Sequence, residues 1–229
     1  MVVSAPPYAL GLRTPTREHP KTPLTVQGVL PAWLRGTLVR TGPGQFEVNG
    51  ESYQHWFDGL AMLVGFDFSD AGIAYSSRFL RSGSYCDAQA HHETLADVAT
   101  EFPRINYRRC NGQPYQFVYG GENGSGSKLI DRLVKVDVQT GEVLTWRAAC
   151  TYPSEPVFVA SPQAAAEDQG VLLSVVLDGR QQKSFLLVLD AQTMQELARA
   201  EIPQIIPFGL HGQYFEDPDS PAASPHLHR

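Results

Sequence analysis

The run LVKVDVQTGEVLTW, residues 133–146, carries the clearest secondary-structure signal in this sequence. Valine recurs at every second position from Val134 to Val138, as expected for one face of a β-strand. A turn-forming triplet follows at 139–141, and residues 142–146 are again β-prone. The run therefore predicts an antiparallel hairpin.

Similar units of strand and turn are predicted on both sides of this hairpin. They are a strand at 36–41 that ends in a Gly-Pro-Gly turn at 42–44, a hairpin of 60–68 with 73–80 around the turn 69–72, and a meander of 171–177, 185–189 and 197–202. Only SPQAAAED, at 161–168, has the composition of a short helix. Successive antiparallel strands predict an all-β fold, and the local pattern leaves a β-propeller and a β-sandwich open.

Composition and charge exclude several classes of protein. The chain has 229 residues, of which 42% are hydrophobic and 18% charged, so it can bury a core and is not globally disordered. No apolar run approaches the ~20 residues of a membrane-spanning helix. A net charge of -6 argues against a nucleic-acid partner. Three separated cysteines, Cys86, Cys110 and Cys150, are typical of reduced, packed thiols in an intracellular protein.

Composition also divides the chain into segments. The first residues lack the basic and apolar regions of a signal peptide, and the last ones are rich in proline and small polar residues. We predict a disordered leader at 1–22, N-terminal strands at 23–85, a seam or linker at 86–100, C-terminal strands at 101–215 and a disordered tail at 216–229.

Three residues are candidates for a functional site. His211 follows the apolar segment 205–210 and has glycines close by, which suits a buried metal ligand or an active-site base, with a packed histidine as the alternative. Glu101 and Glu155 each lie among apolar and aromatic residues. A buried carboxylate is costly unless a cation, a metal or a histidine N–H is its partner. No motif identifies a catalytic nucleophile.

The other histidines are assigned structural or solvated roles. His55 lies in an aromatic cluster and is expected to be a packed histidine. His91 and His92 are adjacent, so in an extended chain they point to opposite sides and do not readily bind one metal. The histidines of the predicted disordered ends are expected to be solvated: His19, His226 and His228.

Several longer segments are distinctive enough to compare with known families. They are PAWLRGTLVRTGPG at 31–44, HWFDG at 55–59, EFPRINY at 101–107, YPSEPVF at 152–158, VLLSVV at 171–176, and the segments 186–203 and 207–212. In content and order they resemble the carotenoid cleavage oxygenase family. The segments are most similar to the animal branch of the family, which contains the β-carotene oxygenases and the retinal pigment epithelium retinoid isomerase. Within that branch they most resemble the β-carotene 9',10'-oxygenase.

The resemblance implies a fold, a metal and site residues. Family members fold as a seven-bladed β-propeller with a helical cap, and four histidines hold a non-haem iron(II), Fe(2+). Three glutamates accept hydrogen bonds from those imidazoles. By this resemblance His211 matches the last iron ligand, and Glu101 and Glu155 match two of the glutamates. A Glu155→Gln substitution is then expected to weaken metal retention more than folding.

The resemblance also implies that the chain is internally shortened. The matching segments are the beginning and the end of the family, which meet at about 86–93. No segment matches the middle, which supplies the other three histidines, the third glutamate and much of the cap and tunnel. A propeller needs about 40 residues per blade, so this chain is expected to build a partial β-propeller. Iron held by one protein imidazole is expected to be weakly retained.

Three functional hypotheses follow. The family inserts O2 across a carotenoid double bond to give two aldehyde or ketone apocarotenoids, and this chain is expected to be inactive by itself. The alternative is a non-catalytic form that binds a carotenoid or retinoid, or that pairs with a homologue through unpaired blade edges. The third is an isoform that folds poorly. A cytoplasmic or mitochondrial location is expected, with peripheral membrane contact where the family's tunnel mouth faces membranes.

Overall fold

The computed structural model describes residues 6–15, 17–48, 51–52, 60–79, 100–110, 113–124, 127 and 129–217. These residues form mainly β-strands, with a short 3-10 helix, Pro7–Leu12, and one turn of α-helix, α1, Tyr107–Cys110. The predicted all-β class is confirmed. No helix within the described residues is long and apolar enough to cross a membrane.

The strands form three large antiparallel sheets and one small hairpin. In chain order they are β1 (His19–Pro23), β2 (Val26–Gly28), β3 (Gly36–Gln45), β4 (Glu47–Val48), β5 (Glu51–Ser52), β6 (Leu60–Ser69), β7 (Gly72–Phe79), β8 (Thr100–Arg104), β9 (Phe117–Glu122), β10 (Arg132–Asp137), β11 (Val143–Trp146), β12 (Thr151–Pro153), β13 (Val157–Ala160), β14 (Gly170–Asp178), β15 (Lys183–Asp190), β16 (Glu196–Glu201) and β17 (His211–Glu216). The first sheet has the order β1-β7-β6-β3-β17 and the second β11-β10-β9-β8. The third has the order β12-β14-β15-β16-β2, with β13 also paired to β14, and β4 and β5 form the small hairpin.

The predicted hairpins are confirmed. β10 pairs with β11, with Leu133 opposite Trp146, and β6 pairs with β7. β14, β15 and β16 form the predicted meander. Aspartates stabilise two of these turns: Asp137 Oδ1 accepts the backbone N–H of Gln139 at 2.8 Å, and Asp190 Oδ1 accepts that of Thr193 at 2.8 Å.

The third sheet lies between the other two, so β14 and β15 are buried on both faces. Alternate residues of a strand point to opposite faces. On β14, Leu173 belongs to a core cluster with Phe66 of the first sheet, whereas Leu172 belongs to a cluster with Tyr119 of the second sheet. Burial on both sides explains the nearly continuous apolar run at 171–177.

The first and third sheets each contain a strand from a distant part of the chain. β2 pairs with β16 and completes the third sheet, with Val26 opposite Ala200. β17 pairs with β3 and completes the first sheet, with His211 opposite Thr41. The early and late segments of the chain are therefore held together by backbone hydrogen bonds in two sheets, and the first residue of β17 is placed beside β3.

The turn predicted at 42–44 is wrong. This Gly-Pro-Gly segment is part of β3, which continues along β6 with a change of register between Pro43 and Gln45. A bulge in the strand accommodates the proline, which has no N–H to donate.

The helix predicted at 161–168 is also wrong, because this segment forms turns whose acidic residues bind the second sheet. The Glu167 carboxylate accepts the backbone N–H of Phe117 at 2.9 Å. Asp168 Oδ2 lies 2.6 Å from Lys135 Nζ, and both side chains are largely buried. Contacts between sheets therefore override the local helical composition.

The disordered leader predicted at 1–22 is wrong for the described part of it. The 3-10 helix buries Leu10, and β1 pairs with β7. His19, expected to be solvated, is 7% exposed, and its ring packs 5.7 Å from that of Tyr75. Most of the seam, residues 86–99, and the end of the tail, 218–229, lie outside the described residues, whereas Glu216 at the start of the predicted tail belongs to β17.

The described cysteines have different environments. Cys110, at the end of α1, is buried and free, as predicted for a packed thiol. Cys150 lies in the turn before β12, where it is free and exposed. The prediction of a packed thiol is therefore wrong for Cys150. Cys86 lies outside the described residues.

The central position of β15 is tested by truncating one of its side chains. Leu186 is fully buried, so Leu186→Ala is expected to lower the free energy of unfolding by about 2 to 5 kcal/mol. Val143, on the edge strand β11, is 52% exposed, and Val143→Ala is expected to change the free energy of unfolding by about 0.5 kcal/mol or less. Urea denaturation of both variants gives the comparison, and equal losses would contradict this placement.

Candidate functional site

His211 begins β17 at the edge of the first sheet. The backbone N–H of the preceding residue, Leu210, donates to the carbonyl of Thr41 at 3.0 Å, and β17 then continues along β3. The imidazole is 68% exposed, so the expectation that this histidine is buried is wrong. An edge strand leaves the side chains at its start open to solvent, although an apolar segment leads into it.

Glu155 lies between β12 and β13 and is 2% exposed. Its Oε1 is 3.0 Å from Nδ1 of His211, and its Oε2 accepts the backbone N–H of Gly212 at 2.8 Å. The carboxylate is thus buried and has a histidine nitrogen beside it, one of the partners that a buried carboxylate requires. Folding thus brings together two candidate residues that are far apart in the sequence.

Two arginines complete the surroundings of Glu155. Arg104, in β8, donates from Nε to Glu155 Oε1 at 2.9 Å and from Nη2 to Oε2 at 3.1 Å. Arg40, in β3, donates from Nη1 to the backbone carbonyl of Glu155 at 2.9 Å and lies 3.9 Å from its Oε2. We call Glu155, Arg40, Arg104 and His211 the Glu155 network.

The electrostatics of the network keep the carboxylate ionised. Burial by itself raises the pKa of Glu155, but hydrogen bonds from Arg104 and His211 and the charge of Arg40 outweigh it, so this pKa lies below its ordinary value. Burial lowers the pKa of Arg40 to about 10, although the charge of Glu155 opposes the change. At neutral pH both groups are therefore charged.

The carboxylate also determines which nitrogen of His211 is free. A neutral imidazole that donates its Nδ1–H to Glu155 keeps the lone pair on Nε2. Because the ring is mostly exposed, Nε2 on the far side of the ring is accessible to a ligand. The ring of Phe102 packs edge-on against the imidazole, with centroids 5.7 Å apart. A carboxylate behind a histidine is the usual support of a metal-binding imidazole.

Glu101 does not join this network in the described part of the chain. It lies on β8, the edge strand of the second sheet, and it is exposed, so its predicted burial is wrong. The pairing of β8 with β9 is irregular between Glu101 and Arg104, and it is Arg104 that reaches Glu155.

The described donor atoms do not fit an iron held by four histidines. Within the ranges that the structure describes, no group of three or more histidine, cysteine, aspartate or glutamate side chains could hold a metal ion. Five further histidines of the sequence lie outside those ranges: His55, His91, His92, His226 and His228. The described site therefore consists of one imidazole and its supporting carboxylate.

Neither arginine of the network was predicted from the sequence. Arg40 could have been found, because Gly36, Leu38 and Arg40 share one face of a strand and an arginine on a buried face needs a carboxylate partner. Nothing in the sequence around Arg104 distinguishes it from an exposed arginine.

An apolar groove lies beside Arg40, between the first and third sheets. Its aliphatic and aromatic walls come from β3, β6, β14 and the segment before β17: Pro43, Met62, Val64, Val175, Leu177, Ile206 and Phe208. The groove therefore combines an apolar surface with one buried guanidinium.

Comparison with known proteins identifies relatives of this chain. It matches the family described as Retinal pigment epithelial membrane protein over residues 12–98 and 87–216. Two curated proteins named "Carotenoid-cleaving dioxygenase, mitochondrial", from Mustela putorius furo and Homo sapiens, are each 46% identical over 126 residues. The alignment covers 54% of this chain and only 23% and 21% of those two relatives, so the chain spans less than a quarter of their length.

Solved structures with the same fold include a cobalt-substituted Synechocystis apocarotenoid oxygenase and a chimera of that enzyme with RPE65. Each superposes with a TM-score of 0.82 at 14% identity, covering 92% of this chain and 98% of the other. At this identity the similarity concerns the fold, and it agrees with three sheets packed face to face like neighbouring propeller blades. The chain therefore belongs to the Retinal pigment epithelial membrane protein family, the carotenoid cleavage oxygenases, and its fold is a partial β-propeller.

Proposed function

We propose that this chain is a carotenoid cleavage oxygenase relative that does not cleave carotenoids by itself. The observation that carries the proposal is the donor set of the described residues, in which His211 belongs to no group of three or more possible metal ligands. Affinity for a transition metal depends on the number and geometry of its ligands, so a single exposed imidazole retains iron(II) weakly.

The contacts of His211 support its assignment as the last iron ligand of the family. Glu155 holds Nδ1 at 3.0 Å and leaves Nε2 free, as a metal-binding imidazole requires. When bound, iron(II) supplies the activation of O2 for oxidative cleavage. Glu101 matches a family glutamate by sequence. In the family such a glutamate supports an iron-ligand histidine. This chain has no match for that histidine, which agrees with the exposure of Glu101.

A second candidate function is non-catalytic binding of a carotenoid or retinoid. The observation in its favour is the apolar groove beside Arg40, whose walls include Met62, Val175 and Phe208. The space between these walls is only about 20 Å³, room for about one water molecule, so a polyene binds there only when the walls move apart and expose their apolar surface to it. The mitochondrial names of both curated relatives support a mitochondrial location in either case.

Iron content and turnover test the main proposal directly. The purified chain, loaded anaerobically with iron(II), is expected to hold far less than one iron per chain and to release no apocarotenoid from β-carotene. Metal analysis and product chromatography on one sample measure both, with the human carotenoid-cleaving dioxygenase as the positive control. Near-stoichiometric iron together with cleavage product would refute the proposal.

His211→Ala separates the two candidate functions. The substitution is expected to remove the residual iron while leaving any binding of β-carotene unchanged, because the groove does not include His211. Fluorescence quenching by β-carotene measures the binding. If polyene binding disappears together with the metal, the non-catalytic candidate is wrong.

Glu155→Gln is expected to destabilise the fold as well as the metal site, contrary to the expectation from sequence. The substitution removes the counter-charge of Arg40 and Arg104, and breaking a buried ion pair costs about 3 to 5 kcal/mol. Glu101→Gln is the matched control, since Glu101 is exposed and its loss should change the free energy of unfolding by about 0.5 kcal/mol or less. Urea denaturation compares the two, and a stable Glu155→Gln variant would show that the network contributes little to folding.

A further inference from the structure

We propose that a cavity at the end of β17 remote from His211 binds a small organic carboxylate. The cavity lies where β13 and the turn after it meet β17, α1 and the segment before β3, and its volume is about 90 Å³. One water molecule needs about 10 to 15 Å³ by this measure, so several waters or a molecule of a few non-hydrogen atoms fit there. A six-residue strand is roughly 17 Å long, which keeps this cavity apart from the Glu155 network.

Tyr214 provides the cavity with a hydrogen-bond donor that lacks a partner. Its side chain is 9% exposed, and its ring packs 6.0 Å from that of Phe68. Within the described part of the chain the hydroxyl makes no hydrogen bond, and Oε1 of Gln204 is the one fully enclosed side-chain polar atom without a partner. The hydroxyl therefore touches open space, and the cavity is the space that Tyr214 lines.

This hydroxyl is suited to donate to an anion. Burial and the charges of Glu216 and Asp217 raise the pKa of Tyr214, so the phenol keeps its proton at neutral pH. A largely buried hydroxyl without an acceptor costs free energy, which a ligand oxygen at the same place recovers.

Two guanidinium groups at the cavity have further donors available. Nη1 of Arg35 pairs with Oδ1 of Asp70, and Nη1 of Arg108 pairs with Oε1 of Glu216. Each guanidinium has five N–H donors, and the described residues accept no other side-chain hydrogen bond from either arginine. The planar fork of an arginine matches the two oxygens of a carboxylate, which it binds through two parallel hydrogen bonds.

The charges and walls of the cavity indicate which anion fits. Two arginines, Arg35 and Arg108, and one acid, Glu216, line it, which leaves one positive charge in excess. A carboxylate carries one negative charge, whereas a phosphate group carries nearly two at neutral pH and would face Glu216 with charge left over. Trp33 and Val159 provide apolar walls. The cavity therefore suits a carboxylate with a short alkyl group, such as propionate.

Titration of the full chain with sodium propionate tests the proposal, and the NMR signals of the tryptophan indole N–H groups are the measurement. Trp33 lines the cavity, whereas Trp146 belongs to the core cluster between the second and third sheets. The Trp33 signal, assigned by its absence in Trp33→Phe, is expected to shift along a saturating curve, and the Trp146 signal to stay in place. Propionamide, the neutral analogue, and inorganic phosphate are expected to bind about tenfold more weakly or less.

Two substitutions examine the donors separately. Tyr214→Phe removes the hydroxyl, and Arg35→Lys keeps the positive charge but removes the fork. Each is expected to raise the Kd for propionate about tenfold, the effect of one hydrogen bond to a charged group. Tyr115→Phe and Arg180→Lys are the matched controls, since both residues are exposed and neither lines the cavity, and they are expected to leave the Kd unchanged.

Several outcomes would overturn the proposal. One is a folded Tyr214→Phe or Arg35→Lys variant that binds propionate as tightly as the parent chain. Others are a Trp33 signal that does not move with propionate, equal affinity for propionamide, and tighter binding of phosphate. Urea denaturation shows which variants fold, and because the two substitutions lie in different segments, either one alone decides the test. The proposal is independent of iron binding and of carotenoid cleavage.

Discussion

The Glu155 carboxylate is a buried charged contact that links all three sheets. It lies between β12 and β13 of the third sheet and binds Arg40 of β3, Arg104 of β8 and the first residues of β17. Each oxygen of the carboxylate has two hydrogen-bond partners, and these contacts offset the cost of burying the charge at 2% exposure. The same contact that joins the sheets also orients His211, and therefore stability and site geometry cannot be changed independently there.

Pairing between strands from the beginning and the end of the chain explains why this site forms. β17 lies on β3, and β2 lies on β16, so residues near 40 and near 211 share one sheet. The third sheet, buried on both faces, packs against the first and second sheets through separate clusters. A part of the family's propeller can thus hold the His211 imidazole against the Glu155 carboxylate, since both belong to blades that this chain contains.

Much of the fold was predictable because it follows from local pattern. The alternation at 133–138 and the apolar run at 171–177 predicted strands that the structure contains. Predictions failed where contacts between sheets replaced local preference, as at 161–168, where Glu167 and Asp168 bind the second sheet. The prediction of a disordered leader failed for the same reason. Pairing of β1 with β7 orders a segment whose composition is typical of disorder.

Residue order, periodicity and motifs were enough to predict the all-β class and the family, and to select His211 and Glu155 as candidates. The packing of the sheets was needed to show that Glu155 is buried against two arginines, that Glu101 is exposed and that the imidazole of His211 is open to solvent. Burial and ion pairing arise from residues about 50 to 115 positions apart, as between Arg104, Glu155 and Arg40. No local pattern encodes which of these distant side chains will meet when sheets pack.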